Sequence, residues 1–334
     1  MQDKLKVAVL GARGIGKYHA REFHNAGAHV VAVLGRSEKS SSEAASGLSK
    51  DFGIDNAHPY SELERLIEQE HPDIVSIATS NNSHHQYAIM ALNAGCHVFL
   101  EKPITWSDNR DPISHIQKAE HLFRLADEKG KVLTVNTPLV WHFDKYVEAV
   151  NTKYPDMQFS NFMVEKMTSY ISSKKVNPAV DLLPHALCYL ARLDCNGQID
   201  WDSLQIERDK ITYHLKFDYS HHGKMLNVDI QVGHSREVPS DIFGFDHLEV
   251  MRVKHKSEDP NCINYELIGI ENGLKILVED PLKILVRGFY EAVEGNGKTR
   301  LLVSPQEALA NFRMQCEILQ RAAPMGGRLL KYTR

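Results

Sequence analysis

The sequence predicts an α/β fold: a doubly wound parallel sheet at the N-terminus, then an α+β domain with a mostly antiparallel open sheet. In the first third, short apolar segments alternate with helical ones, which is typical of a parallel sheet covered on both faces. After about residue 138 the segments lengthen and alternate apolar with polar residues, which is typical of an antiparallel sheet with one wet face. Because 334 residues exceed one ordinary domain, we expect domains at 1–136 and 137–334.

The individual elements follow from hydrophobic period and turn chemistry. In the first domain the predicted strands are 6–10, 29–34, 74–78, 97–100 and 131–136, and the predicted helices are 16–26, 61–68, 83–94 and 113–128. In the second domain the predicted strands are 157–167, 211–220, 224–233, 247–253, 264–270 and 274–278, and the predicted helices are 181–193, 281–294 and 305–322. Asn272 and Gly273 form a strong hairpin signal, and Ser304 with Pro305 is a helix-start signal.

Composition excludes several classes of partner. The net charge of −4, with no strongly basic stretch, argues against nucleic acid, and no apolar stretch is long enough to span a membrane. The 5 cysteines include no CxxC pair, so we expect neither disulfides nor structural zinc. Such cysteine usage is typical of a protein in the reducing cytoplasm, where we expect this one. Histidines number 18 but show no HExxH spacing, and two pairs are adjacent in sequence, so their side chains point apart and we expect no metal.

A glycine-rich turn follows the first strand. It reads Gly11, Ala12, Arg13, Gly14, Ile15, Gly16 and leads into a helix, the context that a dinucleotide fingerprint of a Rossmann domain requires. Such a turn presents helix N–H groups to a pyrophosphate, so we expect cofactor contacts from Gly11, Arg13, Gly14, Ile15 and Gly16. The spacing is imperfect, because Arg13 occupies the place of the middle glycine; the alternative is an ordinary strand–helix turn.

The end of the second strand bears on the choice of cofactor. NAD enzymes usually place an acid there to hold the ribose 2′-hydroxyl, whereas this chain has Gly35, Arg36 and Ser37. Arg36 and Ser37 are suited to a 2′-phosphate, so NADP is favoured over NAD. Glu38, next in sequence, keeps NAD open, and Arg36 as a solvated loop residue is the alternative.

Two loops carry motifs that resemble those of a known family. Glu101, Lys102 and Pro103 follow the fourth predicted strand, and an earlier loop runs from Thr79 through Asn81 to His84. With the glycine turn, these motifs resemble the Gfo/Idh/MocA oxidoreductases, the glucose–fructose oxidoreductase and inositol dehydrogenase group.

The resemblance implies roles for both loops. It places Lys102 beside the nicotinamide and the reacting carbon, where an ammonium stabilises developing negative charge on oxygen. It implies a cis bond before Pro103, an orienting role for Glu101, and cofactor contacts from Thr79, Asn81, His84, Glu101 and Lys102.

The resemblance also implies catalytic roles for Asp181 and His185. Their spacing places both side chains on one helical face, where His185 would exchange the proton of a substrate hydroxyl and Asp181 would hold the substrate or the imidazole. The alternative is a helix cap and an ordinary helix residue. The approach at 174–180 lacks the family's glycines, and Pro184 is unusual, so the substrate side departs from the family pattern; Lys174 or Lys175 would contact an anionic substrate or be exposed.

The expected activity is hydride transfer between NADP, or NAD, and a secondary alcohol or ketone of a sugar, cyclitol or similar polyol. Asn136, Trp141 and His142 are candidate substrate contacts, and Trp141 suits the core equally. The resemblance also implies a homo-oligomer, a dimer or tetramer. Three rivals remain: a non-catalytic dinucleotide-binding sensor, a glycosidase that oxidises its substrate transiently with a bound NAD, and a plain binding module without a nucleotide. The third requires the glycine turn to be a coincidence.

Overall fold

The computed structural model describes residues 4–107, 111–170, 177–236, 241–256, 263–295 and 299–322. The chain divides into two compact units. The first unit contains segments 1–110, 114–136 and 282–305, and the second contains 111–113, 137–281 and 306–334. Residues 282–305, which the sequence assigns to the second domain, therefore lie in the first unit.

The N-terminal part alternates strands and helices. Its elements are β1 (Lys6–Leu10), α1 (Ile15–Asn25), β2 (His29–Leu34), α2 (Glu38–Phe52), β3 (His58–Tyr60), α3 (Leu63–Glu70), β4 (Ile74–Ile77), a 3₁₀ turn (Asn81–Ser83), α4 (His84–Asn93), β5 (His97–Glu101), α5 (Pro112–Glu128) and β6 (Leu133–Asn136).

Longer strands dominate the rest of the chain. The elements are α6 (Val140–Lys153), β7 (Asn161–Tyr170), α7 (Pro178–Asp181), α8 (Leu183–Leu193), β8 (Gln198–Arg208), β9 (Thr212–His221), β10 (Lys224–Ser235), β11 (Asp241–Phe245), β12 (Val250–Lys256), β13 (Ile263–Gly269), β14 (Lys275–Glu279), α9 (Pro281–Glu294) and α10 (Pro305–Ala322).

The first sheet is parallel and doubly wound. Within the described residues its strands lie in the order β3-β2-β1-β4-β5-β6, and every neighbouring pair is parallel. The order reverses between β1 and β4, and in open α/β sheets ligands bind beyond the carboxyl ends of the strands at such a point. This topology confirms the predicted Rossmann fold and places the glycine turn after β1 beside the loop after β4.

Three aromatic rings fill the core of the first unit. Phe23 on α1, Phe99 on β5 and Phe289 on α9 are buried, with ring centroids 5.5–6.2 Å apart in edge-to-face arrangements. Such pairs contribute about 0.5–1.5 kcal/mol beyond the burial of their area. Helix α9 thus completes the Rossmann core from a position far along the sequence.

The sequence reading missed α2 and β3. The serine-rich stretch 40–46 resembles a loop in composition, but it forms a helix because Ser37 and Ser40 make a reciprocal capping box at its start. Ala44 and Leu48 then bury the apolar face of α2. Strand β3 has only three residues, too few for a pattern of period two.

The second unit is a large mixed sheet. Among the described residues its order is β14-β13-β12-β11-β7-β10-β9-β8, and its neighbours are antiparallel except for β7 with β10. Helices α6 and α8 pack on one face through stacked and tilted rings, with Tyr189 centred 5.1 Å from Phe143 and 4.8 Å from Phe243. The predicted sheet is confirmed, whereas α6, β8 and β11 were not predicted.

The predicted helix 181–193 is interrupted. Helix α7 ends at Asp181 and α8 begins at Leu183, because the amide of His185 bonds the carbonyl of Leu182 rather than that of Asp181. Pro184 stands within the first turn of α8, where its missing N–H leaves no bond unmade.

An ion-pair network joins α6, α8 and α10. Arg192, with only 17% of its side chain exposed, donates to Asp144 at 2.5 and 2.7 Å and to Glu307 at 2.7 Å. Both carboxylates hold the guanidinium in its charged form and raise the pKa of Arg192, although burial opposes this.

We expect Arg192→Met to lower the free energy of unfolding by about 3 kcal/mol, because it removes a cation that pairs with two partly buried carboxylates. Urea unfolding measures this change. The matched control is Lys145→Met, which removes an exposed pair with Glu148 on α6 and should cost under about 1 kcal/mol. Equal losses in the two variants would contradict the role of the network.

Candidate active site

Two glycines of the first turn are required by close packing. Gly11 has φ +88°, and a Cβ there would lie 2.5 Å from the carbonyl oxygen of Ala78. A Cβ on Gly16 would lie 2.6 Å from the carbonyl oxygen of Gly11. A side chain on Gly14 would instead meet open space. The first and last glycines of the fingerprint are therefore in place, although the middle position is Arg13.

The start of α1 is open to a ligand's phosphates. Gly14 precedes the helix and supplies no side-chain cap, so the first N–H groups of α1 receive no capping side chain. Ile15 is 43% exposed beside them, and the guanidinium of Arg13 pairs with Glu43 on α2 at the surface. Bare N–H groups at a helix start attract anionic oxygen. The residues present therefore fit a dinucleotide pyrophosphate.

The turn after β2 presents one unpaired cation. A Cβ on Gly35 would lie 2.6 Å from Ser40 Oγ, so the chain turns tightly there. Ser37 Oγ accepts from the Ser40 amide at 3.3 Å and starts α2. Arg36, between them, is exposed and makes no hydrogen bond or ion pair with any described residue. This arrangement leaves the guanidinium available to a phosphate.

His84 is buried and joins two loops. Its Nδ1 lies 2.9 Å from the carbonyl oxygen of Pro103, and its Nε2 lies 3.2 Å from the carbonyl oxygen of Thr79. Burial lowers the pKa of His84, against opposing contributions from these carbonyls and Glu101. The structure thus places His84 behind the loop 79–83, while Thr79 and Asn81 are half-buried on it.

Glu101 is a buried, ionised carboxylate at the end of β5. Burial opposes its ionisation, but His19, Lys102 and Asn136 outweigh this and lower the pKa of Glu101 to about 2. His19 Nε2 lies 3.0 Å from Glu101 Oε1, and Asn136 Nδ2 donates to the same oxygen. His19 Nδ1 lies 3.0 Å from Ser76 Oγ. Asn136, predicted as a substrate contact, therefore uses its amide on Glu101.

Lys102 follows this carboxylate directly. Its side chain is half-buried, and its bond to Pro103 is cis, as the resemblance implied. Sequence reasoning missed His19 and Ser76. A signal for His19 exists: it lies four residues before Phe23, on the apolar face of α1, where an unpartnered imidazole would be costly.

Helix α10 holds the segment of Asp181 and His185. Gln315 Nε2 donates to the carbonyl oxygens of Ala179 and Val180, both at 3.0 Å. Asn311 Nδ2 donates to the carbonyl oxygen of Pro184 at 2.8 Å. Both amides are buried, and sequence reasoning missed them.

Other predicted residues have mixed placements. Asp181 and His185 are half-buried within the second unit. His142 is fully buried, with Nε2 3.1 Å from the Glu279 carbonyl oxygen, and burial with nearby Arg252 lowers the pKa of His142 to about 3. Trp141 is half-buried, with the ammonium of Lys145 4.9 Å from its ring. Lys174 and Lys175 lie outside the described residues.

Two kinds of feature are absent from the described part of the chain. No group of three or more histidine, cysteine, aspartate or glutamate side chains is arranged to hold a metal ion. No helix in these segments has the length and apolar character needed to cross a bilayer.

Comparison with known proteins agrees with this geometry. Residues 5–137 match the model of the Gfo/Idh/MocA family, described as an oxidoreductase family with an NAD-binding Rossmann fold. The chain is 30% identical to D-glucoside 3-dehydrogenase of Escherichia coli over 130 residues, 39% of this chain and 33% of that protein. It is 35% identical to inositol 2-dehydrogenase of Salmonella paratyphi B over 102 residues, 30% of this chain and 29% of that protein. These matches thus span about a third of the curated relatives.

Solved structures resemble the chain over nearly its whole length. A 3-ketoreductase from Actinomadura kijaniata, solved with NADP and TDP-benzene, has a TM-score of 0.70 at 18% identity, covering 94% of this chain and 96% of that one. At this identity the likeness shows the shared fold. Over residues 5–137, the chain is therefore similar to the Gfo/Idh/MocA oxidoreductase family.

Proposed function

We propose that this chain is an NADP-preferring oxidoreductase that transfers hydride between the nicotinamide and a secondary alcohol or ketone carbon of a sugar, cyclitol or similar polyol. The observation that carries the proposal is the segment Glu101, Lys102 and Pro103 at the carboxyl end of β5, called the corner below. In this corner a lysine directly follows a buried, ionised carboxylate. Relatives named as dehydrogenases of a glucoside and of inositol support the substrate class.

The bound nicotinamide would supply the hydride chemistry, and this chain's residues would hold and polarise the reactants. The glycine turn and the start of α1 hold the pyrophosphate, and Arg36 holds the 2′-phosphate. Lys102 stabilises negative charge on the reacting oxygen. His185 exchanges the hydroxyl proton, and Asp181 holds the substrate or orients the imidazole, as the family resemblance implies.

Replacing Lys102 tests the catalytic role. We expect Lys102→Ala to lower kcat by about 10²- to 10³-fold while the Kd for NADP changes little, because this ammonium acts mainly on the transition state. Turnover is followed by nicotinamide absorbance over a panel of sugars, cyclitols and keto-sugars. The matched control is Lys129→Ala, an exposed lysine of the same unit. Unchanged turnover in Lys102→Ala would remove Lys102 from the mechanism.

The same panel separates two rivals. A dinucleotide-binding sensor would bind NADP and turn over nothing. A glycosidase with transient oxidation would release product with no net change in absorbance. Net reduction or oxidation of the nicotinamide is the outcome that the proposal requires.

Replacing Arg36 tests the choice of cofactor. We expect Arg36→Ala to raise the Kd for NADP about 10- to 100-fold and the Kd for NAD less than about threefold, because only the 2′-phosphate loses a charge-assisted partner. Titration calorimetry measures both constants. Arg124→Ala, an exposed arginine on α5, is the control. Equal weakening of the two cofactors would contradict the assignment.

We also propose that the protein is a homo-oligomer, a dimer or tetramer. The sheet of the second unit exposes large apolar side chains on three strands: Met225 is 53% exposed, Met251 37% and Leu277 74%. Exposed apolar surface of this kind often marks an interface between subunits. The mass measured by light scattering should be about two or four times 37.8 kDa, and Leu277→Glu should lower this mass. A monomer mass for the unmodified protein would refute the assembly.

A further inference from the structure

We propose that two buried histidines, His19 and His84, are positioning residues that hold Lys102 by fixing the residues on either side of it. The inference rests on the proposed function, because it assigns these histidines to the lysine proposed to act on the substrate. Neither histidine needs to touch the substrate or the cofactor.

His19 holds the residue before Lys102. Its ring is fully buried, and its Nε2 donates to Glu101 Oε1 at 3.0 Å. On the other side of the ring, Ser76 Oγ lies 3.0 Å from Nδ1, so the imidazole has a polar partner at each nitrogen. A hydrogen bond to an ionised acceptor is stronger than one between neutral groups, so this contact restrains Glu101.

His84 holds the residue after Lys102. Its ring is also fully buried, and Nδ1 lies 2.9 Å from the carbonyl oxygen of Pro103. A neutral imidazole carries one N–H, and the shorter of its two contacts is the one to Pro103. Burial, which lowers the pKa of His84, keeps the ring neutral near pH 7. The backbone just beyond Lys102 is therefore tied to α4.

The two contacts connect Lys102 to the elements that carry the predicted cofactor contacts. His19 lies on α1, three residues after Gly16 of the glycine turn. His84 opens α4 directly after the loop 79–83, so its bond to the carbonyl oxygen of Pro103 ties the backbone beyond Lys102 to the end of that loop. Residues 102–107 form neither helix nor strand, so no backbone ladder fixes this corner. The side-chain bonds therefore set where Lys102 lies relative to the cofactor loops.

The experiment compares variants that lose the hydrogen-bond donor of each histidine with variants that keep a donor in a similar position. His19→Met and His84→Leu remove the donors and keep the apolar bulk. His19→Gln places an amide near the Nε2 position, and His84→Asn places one near the Nδ1 position. The matched control is Thr134→Val, which removes one buried hydrogen bond, to the carbonyl oxygen of Val303, elsewhere in the same unit.

Two readouts are taken on each full-length protein. The first is kcat per NADP-binding site, with KM and the Kd for NADP. The second is amide hydrogen exchange at Lys102, Ile104 and Thr105, which reports local opening and needs no turnover. A purely structural histidine would change stability but not these two quantities.

We expect His19→Met and His84→Leu to lower kcat about 10- to 100-fold, because a misplacement of about 1 Å has effects of this size. KM and the Kd for NADP should stay within about fivefold, and the corner amides should exchange at least about tenfold faster. His19→Gln and His84→Asn should recover most of both losses. Thr134→Val should match the unmodified protein in both readouts.

Ser76→Ala provides a milder variant that leaves the corner itself untouched. It frees one side of the His19 ring, so we expect faster exchange at the corner and a kcat lower by about threefold or more. This variant keeps the proposal testable if His19→Met does not fold.

Several outcomes would overturn the proposal. In one, His19→Met and His84→Leu keep kcat within twofold of the unmodified protein, and their corner amides exchange as slowly as those of Thr134→Val. If these two variants do not fold, the same result in Ser76→Ala would overturn the proposal. Another is no recovery in the glutamine and asparagine variants. Absence of turnover in the unmodified protein would instead refute the proposed function, and the exchange readout would still decide whether the histidines hold the corner.

Discussion

The first unit depends on one electrostatic constraint: an ionised carboxylate, Glu101, buried at the end of β5. Burying a carboxylate costs several kcal/mol unless charged and polar partners offset it. His19 and Asn136 supply two hydrogen bonds to one oxygen, and Lys102 supplies a nearby positive charge. These partners come from α1, β6 and the corner itself, so the carboxylate joins three elements at the edge of the sheet.

Close packing of backbone completes this edge. Gly11 leaves no room for a Cβ beside Ala78, and Gly16 leaves none beside Gly11. The glycine turn can therefore lie against the end of β4, and α1 starts with its N–H groups uncapped. The hydrogen bonds to Glu101 hold the corner at Lys102, while Gly11 and Gly16 allow the neighbouring glycine turn to pack closely against the end of β4.

In the second unit, neutral side-chain amides hold the backbone of the segment that carries Asp181 and His185. Gln315 and Asn311 on α10 bind three carbonyls of the segment 179–184, where α7 stops and α8 begins. A break between helices leaves carbonyls without partners, and buried carbonyls require donors. The amides supply them, so Asp181 and His185 are carried by a segment whose backbone is held on both sides of the break.

The sequence by itself determined the Rossmann topology and the glycine turn, because apolar period and glycine position are local properties of the chain. The resemblance of its motifs to a known family pointed to Lys102. The sequence also determined the hairpin at Asn272 and Gly273 between β13 and β14. It did not reveal α2, whose helical signal is a capping box within a serine-rich stretch, or the interruption between α7 and α8.

Only the tertiary structure decided what the buried polar residues do. His19 and Glu101 are 82 positions apart, and Asn311 and Pro184 are 127 apart, so no local pattern links them. Their pairing arises because folding removes each group from water, and a buried polar group must then find a partner wherever the fold supplies one. For that reason Asn136 and His142, which the sequence offers as substrate contacts, bind Glu101 and a strand carbonyl in the folded chain.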